Sequence, residues 1–157
     1  MKILVPVDGS ELALDAVRYA LHLKRDGLQA SFVLATVQEP TFLYEMVLAP
    51  DAEVLERVSG KEGSQAQDGA KALFSKAGVP FECEIGSGEV ASTLIDIAGR
   101  HGCESIILSA RGLGAMRSAL LGSVSQAVLH ASDVPVTIVK HAKTSHHAGL
   151  GKPVGFE

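Results

Sequence analysis

The stretch SARGLGAMRSALLGSVS, residues 109–125, is the part of this chain best equipped for chemistry. Gly112, Gly114 and Gly122 either let a ligand come close to the backbone or supply a positive φ. Ser109, Ser123 and Ser125 carry hydroxyls, and Arg111 carries a fixed positive charge. A helix is expected directly after Gly122, in LLGSVSQAV, and the free N–H groups and dipole at a helix start attract anions. The chemistry these residues suit is the holding of phosphate. Each has a plain structural role as well. Ser123 with Gln126 three residues on forms a capping-box pattern, which satisfies helix N–H groups without a ligand. Arg111 suits a phosphate or a solvated loop equally. Asp8, in the VDGS turn near the N-terminus, either accepts from a ligand amine or caps the first helix.

Two well-known phosphate motifs are excluded. No G-x-x-x-x-G-K-[ST] occurs anywhere in the chain. GLGAMRSALLG begins G-x-G, but Arg117 stands where the dinucleotide fingerprint has its third glycine, and the stretch follows a fourth strand, not a first.

The elements that must position these residues alternate along the chain. KILVPV (2–7) is an apolar run ended by DGS, hence a buried strand and a turn. Leu12, Ala13, Ala16, Val17, Ala20 and Leu21 recur at helical spacing from Ser10 up to Gly27. ASFVLATV (30–37) is a second strand, and QEPTFLYEMVLAP (38–50) a loop or lid. Residues 51–77 look helical but carry Gly60, Gly63 and Gly69, each unfavourable by about 1 kcal/mol relative to Ala. A broken start is expected there, with firm helix from about Gln65 to Lys76. PFECEI (80–85) alternates Phe81, Cys83 and Ile85 with Glu82 and Glu84, as a strand with one wet face does. EVASTLIDIAGRHG (89–102) is a helix, SIILS (105–109) a strand, Ser123 to Ala131 a helix, and PVTIVK (135–140) a fifth strand. Residues 142–157 read as a C-terminal tail beyond one α/β domain (1–141). The tail's adjacent His146 and His147 carry little metal signal.

Strands alternating with helices imply parallel pairing with right-handed crossovers, so a single doubly wound, Rossmann-like five-stranded sheet with helices on both faces. In the order 3-2-1-4-5 the winding reverses between strands 1 and 4, and ligands bind beyond the carboxyl ends at such a reversal. The loops VDGS and SARG would face that crevice.

Composition agrees. At 157 residues the chain suits one domain. It is 46% hydrophobic, 4% aromatic and without Trp, so its core is aliphatic, as in a buried parallel sheet. A net charge of −4 with no basic run argues against nucleic acid. No apolar stretch has the length of a membrane span and the N-terminus lacks a signal peptide, so a cytoplasmic protein is expected. Cys83 and Cys103 have no metal-ligand spacing and would lie on opposite halves of the sheet, so they read as structural thiols.

ILVPVDGSELA at one end and RGLGAMRSALLGSVSQAVLHASDVPVTIVK at the other resemble the universal stress proteins over about residues 2–140. The nucleotide-binding branch of that family is marked by G-x2-G-x9-G-[ST]. Gly112, nine following residues and Gly122-Ser123 match it, with Ser109 in place of the first glycine. The resemblance implies ATP or a related adenine nucleotide as ligand, with Mg²⁺ as an accompanying ion and no metal site made by protein alone. It implies Pro6, Val7, Asp8 and Val37 around adenine, with Leu108 beside it, and Arg111, Val124 and Ser125 near ribose or phosphate. A side chain at Ser109 either crowds the ribose or supplies a hydroxyl to it.

Three functions follow for comparison. The first is a stress-response module that senses adenine nucleotide. The second is a slow ATPase, disfavoured because no Asp or Glu lies near SARG or GSVS, Asp8 alone being able to approach from strand 1, and hydrolysis needs groups to hold metal and water. The third is a dimeric interaction protein with a vestigial pocket. A homodimer through the last strand is expected, since Pro80, Glu82 and Glu84 protect strand 3 whereas VTIVK is uncharged before Lys140; the resemblance implies the same.

Overall fold

The computed structural model describes residues 1–39, 52–112 and 121–141, with side chains from residue 63 onward in its second segment. Residues 40–50 of the expected loop or lid (38–50), Gly114, Arg117 and the tail from residue 142, with its two histidines, lie outside the described residues. Five parallel strands form one sheet: β1 (Lys2–Pro6), β2 (Ser31–Gln38), β3 (Phe81–Ser87), β4 (Ser105–Ser109) and β5 (Val136–Val139). Their order is β3-β2-β1-β4-β5. Among the described residues the helices are α1 (Leu14–Arg25), α2 (Ala52–Lys76), α3 (Val90–Arg100) and α4 (Ser123–Ala131).

The strands are apolar on both faces because both faces are covered. In β1, Ile3 and Val5 point to one side and Leu4 to the other. The first side packs Phe32, Leu34 and Ile107 against Ala16, Val17 and Ala20 of α1 and Ala70 and Phe74 of α2. Phe74 stands between Phe32 and Phe81 with ring centroids 5.2 and 5.4 Å away, tilted as aromatic pairs prefer. The second side packs Val33, Ala35, Ile106 and Leu108 against α3 and Val128 of α4. Pairing of Ile3, Leu4 and Val5 with Phe32, Val33 and Leu34 keeps each set on its own face.

Three expectations need correction. The helix before β3 is unbroken from Ala52 to Lys76. Gly63 and Gly69 are contact points, where side chains of neighbouring elements come to rest on the helix backbone. A Cβ on Gly63 would lie 2.8 Å from Ile85 Cγ2, and one on Gly69 would lie 3.3 Å from Leu14 Cδ1. Tertiary packing of the helix outweighs their poor propensity. Second, α1 starts at Leu14, not Ser10. Residues 11–13 form a tighter lead-in turn, with Leu14 N donating to Glu11 O and Asp15 N to Leu12 O, both at 3.2 Å. Third, β3 does not divide into a dry and a wet face. It is an edge strand whose Cys83 is exposed and whose Ile85 rests on side-chainless Gly63, leaving it 39% exposed. Glu84 is instead half-buried against His101 and Arg100 of the α3 end.

Cys103 is buried, burial pushes its thiol up, and neither cysteine is bonded to another. No helix among the described residues is long and apolar enough to cross a membrane.

Candidate functional site

β1 and β4 are neighbours whose connections leave in opposite directions, β1 to α1 on one face and β4 to α4 on the other. Beyond their carboxyl ends lies a cavity of about 330 Å³. Every site residue that the family resemblance implied lines it. Pro6, Val7 and Asp8 come from the end of β1, and Val37 from β2. Leu108, Ser109, Arg111 and Gly112 come from the end of β4, and Gly122, Ser123, Val124 and Ser125 from the start of α4.

The β1 end is held by backbone and side chain together. Val7 N donates to Ala35 O at 2.8 Å, and the buried Thr36 hydroxyl donates to Val7 O at 2.9 Å. Asp8 does not cap α1. Its Oδ1 accepts from Ser10 N at 2.9 Å and from Ser10 Oγ at 2.6 Å, closing the VDGS turn on itself. Ser10 Oγ in turn accepts from Ala13 N at 3.1 Å and so takes the capping role in the lead-in turn.

Gly112 explains why this turn can meet the β4 loop. A Cβ built there would collide with Asp8 Oδ2, so only glycine allows the carboxylate to lie on the loop backbone. Neither Gly112 nor Gly122 has a positive φ. Close approach, not backbone freedom, is the use of Gly112 here, whereas a Cβ on Gly122 would make only ordinary contact, 3.4 Å from Ala110 O.

The β4 loop is tied down at several points. Ala110 N donates to Val139 O at 2.8 Å, and Gly122 N donates to Ala110 O at 2.7 Å. The buried Ser125 hydroxyl donates to Ser109 O at 2.9 Å and to Ala110 O at 3.3 Å. Ser109 Oγ donates to Arg111 O. Of the two roles open to Ser123, the capping box with Gln126 does not form. The N-cap is Gly122, which has no side chain, and Ser123 is the first helical residue and exposed. Gln126 N makes its bond to Gly122 O at 3.0 Å, so the N–H groups of Ser123, Val124 and Ser125 have no preceding helical carbonyl to serve.

The arrangement can hold an anion at the start of α4 and an apolar body between Val37 and Leu108. The family model of the universal stress proteins matches residues 1–140. This chain belongs to the universal stress protein family. It is 30% identical over 146 residues to the universal stress protein YxiE of Bacillus subtilis, covering 88% of this chain and 98% of that one. Among solved structures, the hypothetical protein MJ0577 superposes with a TM-score of 0.75 at 25% identity, over 91% of this chain and 97% of the other. A universal stress protein solved in complex with cAMP superposes with a TM-score of 0.65 at 25% identity, over 91% and 98% of the two chains.

The universal stress protein fold also brings residues to the cavity that the motif does not contain: Ala13, Ala35, Val90, Leu94 and Leu121. Ala35 was accessible by reasoning, since it lies two residues before Val37 on one face of β2. Val90 and Leu94 were not, because which strands α3 crosses is a matter of chain path. Among the described residues no group of three or more His, Cys, Asp and Glu is arranged to hold a metal ion.

Proposed function

We propose that this chain binds an adenine nucleotide, ATP or a close relative, in the cavity between β1 and β4, and acts as a nucleotide-sensing module of a cytoplasmic stress response. One observation carries the reading: the motif residues, distant in sequence, converge on a single cavity with an apolar wall and a helix start that its own side chains leave uncapped. The solved relative in complex with cAMP supports an adenine nucleotide as the class of ligand. Val37 and Leu108 suit the base, and Arg111 with the first N–H groups of α4 suits the phosphates, with Mg²⁺ entering on the nucleotide.

Fast turnover is not part of the proposal. Asp8 is the one acidic side chain lining the cavity among the described residues, and its Oδ1 is engaged by Ser10. A homodimer through β5 is. All four of its residues are half-buried, and it forms an edge with no charge in it. The opposite edge carries Glu82, bound to Lys2 at 2.9 Å, and Glu84, bound to Arg100 and His101.

Calorimetric titration with ATP, AMP and cAMP tests the ligand. Saturable binding at micromolar to millimolar concentration is expected for at least one. No heat from any of them would leave the vestigial-pocket reading standing instead. Light scattering tests the assembly: a dimer for the wild type, and a shift toward monomer for Val139→Asp.

A further inference from the structure

Ser109 occupies the first glycine position of the motif, and its bonding decides what it can offer a ligand. Its Oγ lies in hydrogen-bond contact with Arg111 O. A carbonyl has no hydrogen, so the shared one is the serine's, and it is spent within the loop. Ser125 is in the same condition, because Ser109 O and Ala110 O both draw on its hydroxyl hydrogen. Ser109 lines the cavity, so what its Oγ has left for a ligand there is acceptor capacity.

The start of α4 and Arg111 supply the opposite polarity. The N–H groups of Ser123, Val124 and Ser125 and a guanidinium are donors without acceptor capacity. A phosphate oxygen has only lone pairs at neutral pH, so it is matched by this donor wall and mismatched by Ser109. Ser109 is joined through Ser125 to the first turn of α4, one link from the anion end. In a molecule ordered base, sugar, phosphate, the group beside it is the sugar.

We infer that Ser109 is a specificity residue, an acceptor-only oxygen that selects a ligand presenting a sugar hydroxyl and so favours ribonucleotides over deoxyribonucleotides. This rests on the nucleotide reading above. It also means that the hydroxyl neither donates to the sugar nor needs removal to make room for it. The loop is built around it.

The test is calorimetric titration of the full chain with ATP, 2′-deoxy-ATP and 3′-deoxy-ATP, for the wild type, Ser109→Ala and Ser109→Gly. One deoxy compound should bind the wild type about two- to tenfold more weakly than ATP, the value of one hydrogen bond. In both variants that ratio should fall to near one. Ratios within one variant are compared because a loosened loop weakens all three nucleotides alike. Equal binding of all three by the wild type, or a preference that persists in Ser109→Ala, overturns the inference while the nucleotide reading stands. Absence of ATP binding by the wild type overturns both.

Discussion

Two helix starts face the same end of the sheet, and they are finished in opposite ways. At α3 the chain supplies its own anion. Glu89 is the N-cap, and its carboxylate accepts from Ala91 N at 3.1 Å and Ser92 N at 2.8 Å. The Ser92 N–H above all, with its hydroxyl and the Ala91 N–H, holds that carboxyl below the usual glutamate range. At α4 the corresponding residue is Gly122, which offers nothing. Val90 and Leu94 of α3 and Val124 of α4 nonetheless line the same cavity. A helix start filled from within is scaffold, and one left unfilled beside a cavity is a place for someone else's charge.

The largest effect should come from making the second start like the first. Gly122→Asp places a carboxylate at the N-cap of α4. The site accepts a side chain, with φ at −71° and the nearest atom to a new Cβ, Ala110 O, at 3.4 Å. The fold should hold or gain a few tenths of a kcal/mol. ATP affinity should fall on the order of a hundredfold, because the new charge occupies and repels at the anion position. Unchanged affinity, measured by calorimetry, would show that the phosphates sit elsewhere.

An intermediate effect is expected from emptying the first start. Glu89→Gln removes the charge that serves α3 and should lower Tm at neutral pH. The sign with pH follows from the lowered folded-state pKa. The stabilisation is present above the ordinary glutamate value of 4.5 and is lost as pH falls through the lower folded value. Wild type and variant should therefore converge on acidification below that range. A Tm difference that stays constant from pH 7 into the acid would mean the charge contributes nothing.

The smallest effect separates the two roles open to Ser123. As a cap it would be worth about 1 kcal/mol. As an exposed first-turn residue that makes no capping box, Ser123→Ala should change stability by less than about 0.5 kcal/mol. ATP affinity should drop about two- to tenfold through loss of one hydroxyl contact. A clear stability loss with unchanged affinity would reverse the contrast between the two starts.

Local signals decided a good deal before any folding was considered. Apolar runs bounded by DGS, Gly27, Gly78 and Gly102 mark strands and helix ends, because turn geometry is a property of a few adjacent residues. Gly27 and Gly102 do adopt positive φ just past α1 and α3. The alternation of strand and helix implied the parallel sheet and its reversal point, since right-handed crossovers leave few topologies. The glycine and serine spacing then marked the loops at that point, and with them the residues that line the cavity. What sequence could not decide was how each polar atom is spent. Ser123 and Gln126 have capping-box spacing, yet the helix begins one residue earlier than that pattern requires, with Gly122 as the N-cap. Asp8 reads as a ligand acceptor or a helix cap, yet its Oδ1 accepts from Ser10, and its carboxylate lies against the β4 loop only because Gly112 has no Cβ. Gly63 and Gly69 read as helix breakers until Ile85 and Leu14 come to rest on them. In each case the competing states differ by about a kilocalorie, which local preference cannot resolve and packing between distant segments does.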